Sequence, residues 1–268
     1  MSAPFFDTHA HLDFPDYAAD LDAVLDRARD AGIARILVVG TDLESSMKAI
    51  ALAEIHAQLH AVVGWHPGHC MDAPDDLRPA LMELARHPKV AAIGETGMDY
   101  YRLPSTQEGG TREQDEPYRA KQARVFEQQL EVAAEAGLNV VIHQRSAWED
   151  TVVRLKPFQG RVRGVFHCFS ENTARMQEVL SLGGLVSFTG ILTFKNGQNI
   201  RDALAATPMG SFMLETDCPY LAPVPYRGKR CEPSHVRQIA EVAAEVKGVS
   251  HEELSRSTCD TARGFFRM

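Results

Sequence analysis

The segment Phe5-Phe-Asp-Thr-His-Ala-His11 joins a short apolar start to a group of metal-binding side chains. In an extended strand, residues i, i+2 and i+4 lie on one face. If this segment is a strand, Asp7, His9 and His11 point together into the protein where the strand ends. Two neighbouring imidazoles beside a carboxylate are suitable ligands for a metal ion. The segment therefore predicts a first strand that ends at a metal site.

Seven similar runs, rich in β-branched or apolar residues, follow this one along the chain. The eight predicted strands are Phe5–His9, Arg35–Val39, Ala61–Gly64, Val90–Glu95, Leu138–His143, Gly164–His167, Leu185–Phe188 and Phe212–Asp217. Stretches with helical periodicity lie between them, such as Asp20–Ala31, Arg119–Ala136 and Ala174–Leu182. Strands that alternate with helices form right-handed βαβ units and a parallel sheet. Eight units favour an α/β fold of the (β/α)8 TIM-barrel type, which takes about 250 residues.

The same pattern predicts how the chain is organised. No GxGxxG motif follows the first strand, which disfavours a doubly wound dinucleotide-binding sheet. The polar segment Leu103–Pro117 interrupts the rhythm of strands and helices, and we interpret it as a surface loop inserted after strand four. We therefore expect residues 1–268 to form one domain.

Composition and charge restrict the classes of function. The five cysteines have no CxxC spacing, so we expect no disulfide framework and a cytoplasmic location. No apolar run of about 20 residues and no signal-peptide pattern is present, which predicts no contact with a membrane. The net charge of −8 disfavours a long basic groove for nucleic acid, unless bound cations supply positive charge at the site. Nothing in the sequence indicates an obligate protein partner.

Four more predicted strands end in a residue that binds metals. These residues are Glu95, His143, His167 and Asp217, on strands four, five, six and eight. Each alone has an ordinary explanation, because polar residues often end strands. In a TIM barrel, however, the carboxyl ends of all strands meet at one mouth. With the two histidines of strand one they make six ligands, which suit two divalent ions such as Zn²⁺, Mn²⁺ or Mg²⁺.

Other polar residues close to these strand ends are candidates for substrate binding. Arg145 lies two residues after His143, where it could clamp a phosphate. Arg227 and Arg230 belong to a basic loop that could grip a phosphate or simply face solvent. His66 could touch the substrate or orient a metal ligand. Four aromatic residues on loops at the predicted mouth could stack on bases or serve only in packing, namely Tyr100, Tyr101, Phe169 and Tyr220.

Strand alternation also predicts the positions of residues beside the ligands. Glu215 shares a face with Asp217 and could lie one layer deeper, where it would orient other groups. Cys168 and Cys218 are next to predicted ligands in the sequence, but alternation turns them away from the metal.

The chain resembles the TatD family of metal-dependent deoxyribonucleases, among the amidohydrolase-like metal barrels, over essentially its whole length. The motifs that carry the resemblance are DTHAHLD at 7–13, GWHP at 64–67, IGETGMDYY at 93–101, VIHQR at 141–145, HCFS at 167–170, ETDCPYLAP at 215–223 and RGKRCEP at 227–233. The resemblance implies two overlapping ligand sets, one of His9, His11, Glu95 and Asp217 and the other of Glu95, His143 and His167. It also implies nuclease activity that trims single strands from the 3′ end.

Three features depart from the family pattern. Cys231 stands where the family usually has Asn, and Asp260 stands where a late Asn-Thr pair is usual. The loop at 103–117 is longer than is typical. None of these changes removes a predicted ligand, so they bear on substrate preference more than on chemistry.

We therefore expect a divalent-metal-dependent deoxyribonuclease that cleaves phosphodiester bonds of single-stranded DNA ends with a metal-activated water. Asp217 and Glu95 are the expected catalytic residues, with Asp217 as both metal ligand and proton acceptor. The same ligands could serve a hydrolase of a small ester, amide or phosphotriester, or of aminoacyl-tRNA. A non-catalytic scaffold would instead hold its metal in a closed, saturated site.

Overall fold

The computed structural model describes residues 3–268, and its eight strands are all parallel and adjacent in chain order. They are β1 Phe5–Ala10, β2 Ile33–Val39, β3 Leu59–Val63, β4 Val90–Asp99, β5 Asn139–Arg145, β6 Gly164–Phe166, β7 Leu185–Phe188 and β8 Phe212–Leu214. At the seam between β8 and β1, His11 N donates to Cys218 O and Asp217 N donates to His9 O, both at 2.9 Å. The loop after β8 therefore closes the sheet, and the predicted (β/α)8 TIM barrel is confirmed.

Nine α-helices are present among residues 3–268. They are α1 Leu21–Asp30, α2 Leu43–Ile55, α3 Arg78–Ala85, α4 Asp115–Ala136, α5 Trp148–Leu155, α6 Thr173–Ser181, α7 Gln198–Ala206, α8 Val236–Lys247 and α9 His251–Phe266. The stripe that predicted α8 is buried, with Val236, Ile239, Ala240 and Ala243 facing inward. No helix in this part of the chain is both long and apolar enough to cross a bilayer.

Alternate strand residues face two separate apolar layers. In β2, Ile36 and Val38 pack against the surrounding helices, whereas Leu37 and Val39 pack inside the barrel. The inner layer also contains Phe265 and Phe266 of α9. Asn139, the first residue of β5, donates from Nδ2 to Phe265 O at 2.6 Å. Helix α9 therefore covers the end of the barrel where the strands begin, and leaves the opposite mouth open.

The segment Leu103–Pro117 is only partly the predicted loop. It contains two 3-10 turns, Pro104–Thr106 and Arg112–Gln114, and its last three residues form the first turn of α4. Asp115 accepts hydrogen bonds from Ser105 N and Oγ at 2.9 and 2.7 Å, and its carboxylate suits the positive end of the helix dipole. The prediction that this helix begins at Arg119 is therefore wrong by one turn.

Most strand ends near the mouth lie within two residues of prediction, but those of β4 and β8 differ more. Strand β4 continues beyond Glu95 to Asp99, and its pairing with β5 has an irregular register between Ile93 and Thr96. Strand β8 ends at Leu214, so the predicted end at Asp217 is wrong. Asp217 lies in the following loop with a left-handed φ of 59°. Surrounding contacts hold a non-glycine residue in that region, which L-residues rarely adopt.

Candidate metal centre

Glu95 lies at the centre of a buried group of histidines at the open mouth of the barrel. Its Oε2 lies 3.3 Å from His9 Nε2 and 3.6 Å from His11 Nε2. Its Oε1 lies 2.7 Å from His143 Nδ1 and 2.8 Å from His167 Nε2. The two oxygens of one carboxylate therefore face two different pairs of imidazoles.

Asp217 completes the first of these groups from the loop after β8. Its Oδ1 lies 3.8 Å from His9 Nε2 and 3.6 Å from His11 Nε2. Its side chain is 16% exposed, compared with 5% for Glu95. The structure thus brings the six predicted ligands together, and Asp217 is the carboxylate most open to solvent.

The histidine nitrogens are too close together to be stable without a cation or proton between them. His9 Nε2 and His11 Nε2 are 3.3 Å apart, and His143 Nδ1 and His167 Nε2 are 3.4 Å apart. Two facing lone pairs repel each other, but both can bind the same cation. Burial alone would raise the pKa of Glu95, but the imidazole of His167 holds it well below its usual range, so Glu95 carries a charge. This donor set fits divalent metal ions.

His66 lies beside the second group, after β3. Its Nε2 lies 3.5 Å from Glu95 Oε1 and 3.3 Å from His143 Nδ1. Distance alone would make it a third ligand with these two residues. However, its Nδ1 accepts a hydrogen bond from Gly68 N at 2.9 Å, and burial lowers its pKa to about 3. The neutral ring therefore carries its proton on Nε2, and His66 is a hydrogen-bond donor facing the cluster.

A buried carboxylate lies behind the second histidine of this group. Glu215 Oε1 lies 3.6 Å from His167 Nδ1 and accepts a hydrogen bond from Cys168 N at 2.6 Å. Its Oε2 accepts from Thr8 Oγ1 at 3.1 Å. Glu215 thus lies one layer below the cluster and joins β1 to the loops that follow β6 and β8.

Asp99 lies behind His143 as Glu215 lies behind His167, and it is absent from the residues predicted from the sequence. Asp99 Oδ2 lies 3.1 Å from His143 Nε2, and the residue is 4% exposed. The signal was present, because residues 95 and 99 differ by four and share one face of a strand. It was hidden because the predicted strand stopped at Glu95.

Asp7 does not face the cluster. Its carboxylate accepts hydrogen bonds from Thr216 N at 2.9 Å and Thr216 Oγ1 at 2.6 Å. The register between β1 and β2 is irregular from Asp7 to Ala10, so strict alternation fails there. The prediction that Asp7 shares a face with His9 and His11 is therefore wrong. Burial raises the pKa of Asp7 to about 8 against the effect of the Thr216 hydrogen bonds, and the residue ties β1 to the loop after β8.

Two of the three departures from the family pattern are single residues, and both lie outside the histidine cluster. Cys231 is buried, with its N donating to Pro219 O at 3.0 Å and its O accepting from Tyr17 OH at 2.6 Å. Asp260 lies on α9, at the covered end of the barrel, and pairs with Arg263 at 2.7 Å. Within residues 3–268, neither residue forms a hydrogen bond or an ion pair with a predicted metal ligand.

Two of the predicted phosphate-binding arginines stack on aromatic rings. The Arg145 guanidinium lies 3.6 Å from the centre of the Tyr101 ring, and that of Arg227 lies 3.7 Å from the centre of the Phe194 ring. Both arginines are exposed, and within residues 3–268 neither forms an ion pair with a carboxylate. Their charge is therefore available to an anion.

Arg230 is placed differently. Its NH1 and NH2 donate to Asp20 Oδ1 and Oδ2 at 2.8 and 2.7 Å. This two-pronged pairing ties the loop after β8 to the start of α1. The guanidinium is thus already occupied by a carboxylate in the structure.

Two buried glutamines of α4 fix the backbone beside the cluster. Gln129 Oε1 accepts from Trp65 N at 2.8 Å, and its Nε2 donates to Trp65 O at 2.9 Å. Gln122 makes the same pair of bonds with Asp99 N and O, at 3.0 and 2.9 Å. Each glutamine amide accepts from one backbone N–H and donates to the C=O of the same residue, as a paired residue in a neighbouring strand does. Gln129 thereby holds the backbone next to His66, and Gln122 holds the backbone at Asp99.

Comparison with known proteins shows the family to which the chain is related. A family model described as TatD related DNase matches residues 6–267. The chain is 37% identical over 264 residues to the uncharacterized metal-dependent hydrolase YabD of Bacillus subtilis, covering 98% of this chain and 99% of the relative. It is 34% identical over 267 residues to the 3′-5′ ssDNA/RNA exonuclease TatD of Enterobacter lignolyticus, covering 97% and 98%. The crystal structure of YJJV, a TatD homologue from Escherichia coli K12, matches with a TM-score of 0.90 at 28% identity over 100% of both chains.

Proposed function

The chain belongs to the TatD related DNase family of metal-dependent hydrolases, and from this premise we propose that it cleaves phosphodiester bonds of DNA. We infer a 3′-5′ exonuclease that prefers single strands. A relative at 34% identity is named a 3′-5′ ssDNA/RNA exonuclease, which supports this choice. The position of Glu95 between two groups of histidines carries the proposal, because phosphodiester hydrolysis is a common reaction of paired metal ions.

We assign two ions to two overlapping sets of ligands. One set is His9, His11, Glu95 and Asp217, and the other is Glu95, His143 and His167. Mixed imidazole and carboxylate donors suit Zn²⁺ or Mn²⁺ better than Mg²⁺ alone. When bound, the ions would activate water and neutralise the charge that develops on the phosphate.

The protein's own groups supply proton transfer and orientation. Asp217 is the most exposed carboxylate of the cluster, so it can accept a proton from water at the mouth. His66 presents an N–H toward the cluster and can donate it to a phosphate oxygen. Arg145 and Arg227, which form no ion pair with a carboxylate within residues 3–268, can hold phosphates of the strand.

Exposed aromatic rings at the mouth support a single-stranded substrate. Tyr101 and Tyr220 are 56% and 55% exposed. The Phe14 ring lies 6.4 Å from the Tyr220 ring and 4.8 Å from the His11 ring, so this aromatic pair lies beside the cluster. Unpaired bases stack on such rings, whereas a duplex keeps its bases stacked inside. The net charge of −8 agrees with local binding of a strand end rather than a long duplex groove.

The test is to incubate metal-loaded protein with 5′-end-labelled single- and double-stranded DNA, with and without a chelator. We expect a ladder of shortening products from single strands, and no cleavage after chelation. Asp217→Ala should reduce the rate by at least about a hundredfold, in the range of lost general-base catalysis. Asp26→Ala, which removes an exposed carboxylate of α1, is the matched control and should keep the parent rate.

Uncut oligonucleotides together with metal-dependent turnover of a small phosphotriester or an aminoacyl ester would overturn the proposed substrate. Parent-level cleavage by Asp217→Ala would overturn the role assigned to Asp217. Labelled RNA belongs in the same series, since equal cleavage of RNA would refute a preference for DNA.

A further inference from the structure

The two nitrogens of His143 have different surroundings. Its Nδ1 faces the cluster, 2.7 Å from Glu95 Oε1, and its Nε2 faces away, 3.1 Å from Asp99 Oδ2. A neutral imidazole has one N–H and one lone pair. Both nitrogens thus face a carboxylate, and a cation bound between Nδ1 and Glu95 would leave the ring proton to Nε2, where the facing residue must accept it.

We propose that Asp99 is a positioning residue that keeps the proton of His143 on Nε2 and so directs the lone pair of Nδ1 toward the metal. This inference rests on the proposed assignment of His143 as a metal ligand. A carboxylate oxygen can only accept a hydrogen bond from the ring, which requires Nε2 to be the donor. Groups in this outer position fix the tautomer and orientation of ligand histidines.

The two oxygens of Asp99 have separate partners, which makes this role specific. Oδ1 accepts hydrogen bonds from Tyr101 N at 2.8 Å and Arg102 N at 3.3 Å. Oδ2 is left for His143. The backbone of Asp99 is held on its other side by Gln122, so the carboxylate cannot easily turn. Backbone contacts thus fix which oxygen meets the histidine.

This division makes Asp99→Asn an informative substitution. The two backbone N–H groups require an acceptor, so the amide oxygen of Asn takes the place of Oδ1. Its NH2 group then faces His143 Nε2 and donates to it. The ring proton must move to Nδ1, where it blocks the lone pair from the metal, although size and loop contacts are conserved.

The first measurement is binding of Mn²⁺ to metal-stripped protein by titration calorimetry, with metal content checked by equilibrium dialysis. We expect two ions per parent chain and a 10- to 100-fold weaker affinity for about one of them in Asp99→Asn, as for loss of other outer-sphere partners. Asp42→Asn is the matched control, because Asp42 accepts from Ser45 N at the start of α2 and no histidine hydrogen-bonds to it. It should bind both ions as the parent does.

The second measurement reads the ring itself and not the affinity. Long-range ¹H–¹⁵N spectra of Zn²⁺-saturated protein report which ring nitrogen of His143 carries the proton when a cation, and no longer only Glu95 Oε1, faces Nδ1. We expect a hydrogen-bonded Nε2–H in the parent and its loss or a shift to Nδ1–H in Asp99→Asn, a difference that a merely structural role for Asp99 would not produce.

The outcomes separate this inference from the function on which it rests. Parent-like Mn²⁺ affinities in Asp99→Asn, or an unchanged tautomer, would overturn the role of Asp99 and leave the ligand assignment standing. His143→Ala is the reference for that assignment. If this variant binds two ions as tightly as the parent, the assignment of His143 fails and the inference fails with it.

Discussion

Replacing Gln129 by Leu should destabilise the barrel by an amount that follows from two hydrogen bonds. Leu has a similar size, so packing is largely kept, but the N–H and C=O of Trp65 both lose their partner. Gln129 is fully buried, so water cannot replace it. Each buried group left unpaired costs about 1–3 kcal/mol, so we expect the free energy of unfolding to fall by about 2–6 kcal/mol.

Urea unfolding followed by circular dichroism measures this loss, and thermal unfolding provides a second measure. For a chain of this size, 1 kcal/mol corresponds to about 2–4 °C in the melting temperature, so a decrease of about 4–24 °C is expected. Arg124→Leu is the control, since Arg124 lies on the exposed side of the same helix. It should change the free energy by about 0.5 kcal/mol or less. A loss below about 1 kcal/mol in Gln129→Leu would show that Trp65 finds other partners, and would refute the anchoring role of α4.

Three further substitutions test other parts of the structure. Gly97→Ala places a Cβ against the backbone oxygen of His143 in β5, at a φ of +137°, so urea unfolding should show a loss of about 3 kcal/mol or more. Gly160→Ala, with a φ of +81° but open space around it, should lose only about 1–2 kcal/mol, and equal losses would contradict the clash. Burial lowers the pKa of His60 to about 4, so below pH 6.5 the unfolded chain takes up a proton that the folded protein does not. The free energy of unfolding of the parent should therefore fall between pH 6.5 and pH 4, and His60→Gln should reduce that fall. If the urea midpoint drops by the same amount from pH 8 to pH 5 in the parent and in His60→Gln, this role of His60 is contradicted. Arg230→Ala should leave nuclease turnover near the parent rate and Arg145→Ala should lower it at least about tenfold, since of these two arginines Arg230 already pairs with Asp20 and Arg145 forms no ion pair within residues 3–268. The reverse order in initial rates would refute this distinction.

The barrel could be predicted from the sequence because the strand segments and the helix segments have clearly different patterns of apolar residues. Runs of β-branched residues such as Ile36–Val39 alternate with amphipathic stretches such as the one that became α8. Ligand residues at the ends of these runs must then meet, since all strands of a parallel barrel end at one mouth. The meeting of His9, Glu95 and Asp217 at this mouth could therefore be predicted without any knowledge of distances.

What the sequence could not predict depends on contacts between distant segments. Asp7 departs from strand alternation because Thr216, far along the chain, binds its carboxylate. Gln122 and Gln129 resemble solvent-facing residues in a helical pattern, and only the folded structure shows that they bind backbone of other elements. Arg230 likewise finds Asp20 only after the ends of the barrel have met.

The seam between the last strand and the first has a consequence for biosynthesis. His9 and His11 leave the ribosome early, whereas Asp217 follows about 200 residues later. Joining segments so far apart requires loop closure before any stabilising contact forms, which makes it a late event in folding. An unfinished polypeptide consequently displays two imidazoles but lacks the carboxylate that completes their group. Under the proposed ligand assignment, a partial translation product therefore lacks a complete metal site until nearly the whole chain has been made.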